Sequence, residues 1–206
     1  MLLLGACADT AGLAQDVYVV RAQDTLYSIA WRYNLDFHDL ARWNHIGPDF
    51  RIRVGQTLIL APARTRAPPA KAAPPAPPHS AASSIGAAAW AWPTDRLTEP
   101  QPVSGGGILI PGRVGQEVRA ASSGRVVYNG SGIRGYGNLI IIKHGESWLS
   151  AYAHNRESLV REGQEVAMGQ VIAHMGEGAP GKPVLYFEIR RNGKPVDPLP
   201  FLPRLK

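Results

Sequence analysis

The stretch Val184-Leu185-Tyr186-Phe187-Glu188-Ile189-Arg190 is a β-strand signal, rich in β-branched and aromatic residues. It is the last of several such runs in the second half of the chain, after Gly124–Tyr128, Leu139–His144 and Leu149–His154. Glycine-rich turns separate these runs, and no long helix is indicated among them. Many short strands at close spacing predict an all-β, antiparallel fold for residues 90–206.

Residues 18–61 have a different pattern, which predicts a small strand–helix–helix–strand unit. Tyr18-Val19-Val20 is a short strand signal, and Asp24-Thr25 offers an N-cap for the first helix. A second short helix follows, and the glycine turn and strand within Val54–Leu60 close the unit. Ala, Pro and Ser dominate residues 62–89, which predicts a flexible, extended linker that lets two modules reach different targets. The predicted fold class is therefore mainly β, in two modules.

Composition excludes several classes of protein. The 206 residues carry a formal net charge of +6, but the basic residues are scattered rather than interleaved with aromatic residues on one helix. This distribution argues against nucleic-acid binding. The single cysteine, Cys7, excludes a disulfide within the chain and a cysteine-based zinc site. No apolar run reaches the roughly 20 residues of a membrane-spanning helix.

The first unit resembles the LysM module. The shared features are Tyr18-Val19-Val20, Asp24-Thr25-Leu26, Ile29-Ala30, Leu40, Asn44 and Gly55-Gln56-Thr57-Leu58. The resemblance implies binding of N-acetylglucosamine-containing glycan, here peptidoglycan, between the loop that opens the first helix and the loop after the second. The residues at those places are Asp24, Thr25, Leu26, Asn44 and Ile46. For each of them, helix capping or core packing is an equally open alternative. Gln23 stands where the family usually has glycine, so it is strained if this position needs a positive φ.

Residues 1–17 are predicted to form an N-terminal tether. Leu4-Gly5-Ala6-Cys7 resembles the lipobox of bacterial lipoproteins, in which the cysteine carries the lipids that anchor the protein to a membrane. Too few residues precede it for a signal peptide, which suggests a start site placed too late or a shortened chain. Ala8 in place of aspartate favours the outer membrane, with the protein facing the periplasm. The alternative is a stray cysteine in a disordered terminus.

Residues 90–206 resemble the LytM, or lysostaphin-type, zinc endopeptidases of bacterial cell walls. The best-matching segments are Gly124-Arg125-Val126-Val127, Gly135-Tyr136-Gly137-Asn138, Ser150-Ala151-Tyr152-Ala153-His154 and Phe187-Glu188-Ile189-Arg190. The resemblance implies the antiparallel β-fold of that family, a duplicated hybrid motif. The overall pattern is closer to the NlpD/EnvC-type amidase activators than to the active peptidases.

The positions of the family's zinc ligands have changed. Active members hold zinc with a histidine, an aspartate four residues later and the second histidine of His-x-His. Here Gly105, Leu109 and Tyr186 stand at those positions, and Val184 replaces a catalytic histidine. Only His154, the other catalytic histidine, remains. Glycine, leucine and valine side chains cannot ligate zinc, and tyrosine rarely does. We therefore expect no bound metal, no other cofactor and no hydrolysis.

A partner protein is expected to bind where the metal was lost. The predicted groove is lined by Leu109, Arg125, Tyr128, Arg134, Asn138, Tyr152, His154, Val184, Tyr186 and Glu188, with Tyr128, Tyr152, His154 and Tyr186 at the rim. An apolar floor with a polar rim suits a helix or loop of another protein. For Leu109 and Val184, simple core filling is an alternative. By resemblance, the partner is an N-acetylmuramoyl-L-alanine amidase that is activated at the septum during daughter-cell separation.

Two other functions remain open at this point. The chain could be a structural lipoprotein that ties the membrane to peptidoglycan without an enzyme partner. It could also be an active zinc endopeptidase, which requires a stoichiometric metal that the residues at the ligand positions do not favour.

Overall fold

The computed structural model describes residues 16–61, 90–95, 98–178 and 181–204. Cys7 and the predicted linker lie outside these residues. The N-terminal module is a two-stranded antiparallel sheet with two short helices: β1 (Val17–Val19), α1 (Leu26–Arg32), α2 (Phe37–Trp43) and β2 (Thr57–Ile59). Neither helix is long and apolar enough to cross a membrane.

Local sequence explains the two helices. The Thr25 side chain caps α1 and forms a capping box with Ser28, and Asp36 caps α2 by accepting from the backbone N–H of His38 at 2.8 Å. Gln23, just before the first cap, has a φ of 67°. It therefore adopts the positive φ that glycine would take without strain, as the sequence comparison with LysM modules suggested.

The C-terminal module is all-β in its described residues, which confirms the predicted fold class. Its strands are β3 (Gln101–Pro102), β4 (Ile108–Pro111), β5 (Glu117–Arg119), β6 (Gly124–Gly130), β7 (Asn138–His144), β8 (Trp148–Ser158), β9 (Glu165–Val166), β10 (Val171–Met175), β11 (Val184–Arg191) and β12 (Lys194–Val196). They form one antiparallel sheet in the order β3-β4-β11-β8-β7-β6-β9. In addition, β10 pairs with β5 and with β8, and β12 pairs with β11. The strand order places β11 between β4 and β8.

The sheet has apolar residues on both faces. On β7, Ile140 and Ile142 belong to the core inside the C-terminal module, whereas Leu139 and Ile141 belong to a second cluster with the N-terminal module. Side chains alternate between the faces of a strand, so a continuous apolar run marks a strand that is covered on both sides. The N-terminal module is the cover of the second face.

Candidate functional site

The pairing of β4 with β11 brings the former ligand positions together. Tyr186 lies opposite Leu109, and Val184 lies opposite Pro111. Gly105 lies in the turn before β4 and has a φ of 106°. This pairing places side by side two positions at which the resemblance locates zinc ligands, and the side chains there are apolar or phenolic.

The Tyr186 side chain occupies the middle of this place. Its ring covers Gly107, since a Cβ added to that glycine would lie 2.6 Å from the ring. Its hydroxyl donates a hydrogen bond of 2.5 Å to Oε2 of Glu188. Burial, and then the negative charge of Glu188, raise the pKa of Tyr186 far above its usual range. The phenol therefore stays protonated and donates its hydrogen bond to Glu188.

His154 lies beside Tyr186 in an unusual backbone conformation. Its φ is 64°, and the two ring centroids are 6.4 Å apart. Its backbone is fixed by hydrogen bonds from its N–H to the carbonyl of Tyr136 at 2.9 Å and from Gly176 N–H to its own carbonyl at 2.8 Å. Burial lowers the pKa of His154, which keeps the imidazole neutral near pH 7. Non-glycine residues with positive φ concentrate at functional sites, and this one lies beside the altered strand positions.

The described residues contain no cluster of three or more histidine, cysteine, aspartate or glutamate side chains placed to hold a metal ion. Two other histidines of the module have structural partners. His144 is hydrogen-bonded to the Ser123 carbonyl and the Ser150 hydroxyl, each at 2.7 Å, and His174 pairs with Glu157 at 2.9 Å. Neither histidine is positioned as a substitute ligand for the altered site.

The surface at this place is partly apolar. Leu109, Val184, His154 and Tyr186 are all partly exposed, and the structure adds Tyr136, whose ring meets that of Tyr186 edge to face at 5.4 Å. We call these five residues the groove. Tyr136 was not among the predicted lining residues, because its glycine-rich turn looked like a connection between strands.

Two predicted rim residues are not at the rim. Tyr128 is 1% exposed and Tyr152 is fully buried. The Tyr152 hydroxyl accepts a hydrogen bond from the N–H of Ala121 at 2.8 Å, and the Tyr128 hydroxyl accepts one from Gly132 at 2.9 Å. Both phenols therefore satisfy backbone groups inside the fold, and their prediction as rim residues was wrong.

The predicted polar contacts also lie elsewhere or are already engaged. Glu188 is buried and accepts from Arg190 at 2.7 Å. The Asn138 amide donates to the carbonyl of Asn155 at 3.0 Å, which holds the end of β7 against β8. Arg125 lies on β6, where it pairs with Glu165 at 2.6 Å. Of the predicted polar residues, Arg134 is exposed in the same turn as Tyr136.

Arg190 links the altered site to the N-terminal module, a connection that the sequence did not reveal. Its guanidinium lies 3.6 Å from the centroid of the Trp31 ring and donates to the Trp31 carbonyl at 3.0 Å. The Trp31 ring also meets Tyr136 edge to face at 6.4 Å. Trp31 therefore contacts one end of the groove. Residues 159 positions apart carry no sequence signal of such a contact.

Most of the predicted glycan-binding side chains have structural partners. Leu26 is fully buried, which makes its side chain part of the core. Asp24 accepts from the Tyr18 hydroxyl at 2.6 Å, and Asn44 bonds both the N–H and the carbonyl of Ile59 at 2.7 and 2.9 Å. Leu26 thus fits the core-packing alternative, and Asn44 fits the capping alternative, since it is the C-cap of α2 and its amide donates to the Leu40 carbonyl at 2.8 Å. Asp24 and Thr25 still line a cleft, and Ile46 is partly exposed.

Comparisons with known proteins agree with this architecture. Residues 18–61 match the LysM domain family, and residues 104–198 match peptidase family M23. The chain is 44% identical to the "Lipoprotein NlpD/LppB homolog" of Pseudomonas aeruginosa, across 97% of this chain and 81% of that protein. It is 37% identical to the "Murein hydrolase activator NlpD" of Salmonella dublin, across 91% and 68%. A crystal structure of an M23 peptidase from Pseudomonas aeruginosa has a TM-score of 0.51 at 24% identity, covering 55% of this chain and 49% of that one, which shows a shared fold.

Proposed function

Since this chain belongs to the NlpD/LppB family of lipoproteins, we propose that it is a noncatalytic activator of a peptidoglycan amidase. The enzyme would be a periplasmic N-acetylmuramoyl-L-alanine amidase that acts during septal splitting. The LysM module would bind peptidoglycan, and lipids on Cys7 would hold the chain at the outer membrane, facing the periplasm. Relatives named as a lipoprotein and as a murein hydrolase activator support this proposal.

The observation that carries the proposal is the side-chain content of the former metal site. Zinc catalysis needs nitrogen, oxygen or sulfur donors and an open position for water. Gly105 and Leu109 offer no donor, and the Tyr186 hydroxyl is committed to Glu188. The pairing of β4 with β11 is nevertheless retained. A peptidase-like fold without the side chains for zinc catalysis is suited to binding a partner protein rather than to hydrolysis.

The groove supports a protein partner. Leu109 and Val184 provide a partly exposed apolar floor, while the rings of Tyr136, His154 and Tyr186 lie around it. Aromatic residues are enriched at protein interfaces because they bury a large area with few rotatable bonds. An amphipathic helix or a loop of the amidase would fit such a surface, with Arg134 available for a charged contact at its edge.

Reconstitution tests the proposal. Purified chain and a purified amidase are mixed on dye-labelled peptidoglycan, and dye release is measured. We expect release well above that of the amidase alone, and none from the chain alone. Val184→Asp places a charge on the groove floor and is expected to remove most of the stimulation. Val54→Asp is the matched control, because Val54 is 71% exposed on the LysM module.

The outcomes separate the alternatives. Binding to sacculi without any change in amidase rate would favour a structural lipoprotein. One zinc per chain, together with chelator-sensitive dye release in the absence of amidase, would favour an active peptidase. Loss of stimulation in Val54→Asp as well as in Val184→Asp would remove the groove from the proposal.

A further inference from the structure

A cleft of about 840 Å³ lies between the two modules, away from the groove. One wall comes from the LysM module, with Thr25 and Tyr27 at the start of α1 and Phe50 in the loop after α2. The opposite wall comes from the C-terminal module, with Arg125 on β6, Lys143 on β7 and Glu165 on β9. The volume lies within the range of about 300–1,000 Å³ that small-molecule sites occupy.

Contacts between the modules hold the two walls in place. Nε2 of His38 lies 3.3 Å from Oε2 of Glu146, and Nζ of Lys143 lies 5.7 Å from the centroid of the Phe37 ring. Beneath them, Leu139 and Ile141 of β7 share a core with the LysM helices. The cleft is therefore part of the docked arrangement of the two modules.

The LysM wall offers aromatic surface. The rings of Tyr27 and Phe50 are both partly exposed and meet edge to face at 5.7 Å. Burial raises the pKa of Tyr27 to about 12, with a further increase from Glu146 and an opposing effect from Arg125. Glu146 and Arg125 belong to the opposite wall, and both influence the Tyr27 hydroxyl electrostatically. The hydroxyl stays protonated and can donate a hydrogen bond.

Six charged side chains of the cleft form pairs of opposite charge, while Asp24 pairs with Arg32 outside the lining and Glu162 accepts from the backbone N–H of Asn129. Arg125 pairs with Glu165 at 2.6 Å, Lys143 with Glu146 at 3.1 Å, and Arg51 with Asp49 at 3.5 Å. Each pair presents donors and acceptors side by side without a net charge. Because every cation of the lining is paired with a carboxylate, the cleft does not favour a strongly anionic ligand. It matches a polyhydroxylated neutral ligand, whose hydroxyls both donate and accept and whose apolar ring faces pack on aromatic side chains.

We propose that this cleft is a composite carbohydrate site, in which a neutral stretch of glycan is held between the LysM module and the C-terminal module. The C-terminal module would contribute hydrogen bonds from the Arg125–Glu165 pair. The inference rests on the proposed wall binding and refines it, because it assigns part of the glycan affinity to residues outside the LysM module.

Titration of the full chain with N-acetylglucosamine tetramer tests this assignment. The variant Arg125→Ala with Glu165→Ala removes one whole pair and leaves no unpaired charge. We expect affinity to fall about threefold to tenfold, since a few exposed hydrogen bonds are lost. The control removes the partly exposed Arg119–Glu117 pair outside the cleft, as Arg119→Ala with Glu117→Ala. It is expected to bind like the wild type, and melting curves of both variants report folding.

Equal affinity of the cleft variant and the wild type would overturn the composite site and leave LysM binding intact. An equal loss in both pair variants would overturn it as well. No binding by the wild type would remove glycan binding altogether, and with it this part of the proposed function. Amidase stimulation, measured separately, reports on the groove.

Discussion

Gly105 stands where the resemblance places the family's first zinc ligand, and its backbone conformation bears on that role as well as its missing side chain. Its φ of 106° lies in a region that residues with a Cβ rarely adopt, although no atom lies within 4 Å of the Cβ position. A histidine there would have room but would be strained. Restoring the side chains alone therefore does not restore the geometry of a first ligand.

We expect Gly105→His to lower the free energy of unfolding by about 1–3 kcal/mol, which is the cost of a strained φ. Adding Leu109→Asp and Tyr186→His is expected not to yield stoichiometric zinc, because the first ligand is misdirected. Urea unfolding and metal analysis measure the two effects. Ser104→His is the control, since Ser104 is exposed and does not have a positive φ. Equal stability of the two histidine variants would contradict the argument.

His144 gives the fold a predictable response to acid. Burial lowers its pKa to about 4, although a hydrogen bond to the Ser123 carbonyl acts in the opposite direction. In the unfolded chain a histidine titrates near pH 6.5, at about 1.4 kcal/mol per pKa unit. The unfolded state therefore binds more protons between these values. Stability from the neutral imidazole is complete above about pH 6.5 and falls as the pH drops toward 4.

His144→Gln is expected to flatten this response. Between pH 7 and pH 4.5 the wild type should lose about 2 kcal/mol more stability than the variant, measured by urea unfolding at each pH. His45→Gln is the matched control, because His45 is exposed. A parallel pH dependence of wild type and His144→Gln would show that another group dominates the acid response.

The strands β6 and β7 show how much of the sheet the local sequence pattern predicts and what it misses. Their β-branched runs and flanking glycines predicted both strands. On β6, however, the pairing with β7 shifts register between Val126 and Tyr128. A bulge interrupts the alternation of faces. Val127 and Tyr128 consequently both contribute to the cluster under the LysM module, and Tyr128 is buried rather than at the rim. A bulge depends on the partner strand, so the sequence of β6 alone could not reveal it.

The strand β11 was predicted within one residue of its bounds, but the contacts around it were not predicted. The sequence located the strand and the substitutions at Val184 and Tyr186 within it. It did not reveal that Glu188 and Arg190, on the same strand, form a buried pair that reaches Trp31. Arginine and glutamate look like surface residues in an alternating pattern. What buries them is a second module whose position depends on contacts distant in the sequence.

The whole molecule is organised by the docking of one module on the other. The continuous apolar run of β7 is typical of a strand that is covered on both faces. The proline-rich segment suggested independent modules instead, and that segment lies outside the described residues. The physical conflict between these two signals is resolved by the shared core, in which Trp31, Leu139 and Ile141 are buried together.

Gly193 offers a direct test of this docking. It lies in the turn between β11 and β12 with a φ of 72°, and a Cβ there would lie 2.5 Å from the Leu35 carbonyl oxygen and 2.6 Å from the Asp36 nitrogen. Both are backbone atoms of the LysM module, so the clash cannot be relieved by a side-chain rotation. Gly193→Ala should therefore push the modules apart, and small-angle X-ray scattering should record a larger radius of gyration. Gly169→Ala is the matched control, because its φ of 82° imposes similar strain while no atom lies within 4 Å. If the two variants scatter alike, the modules are not held together at this turn.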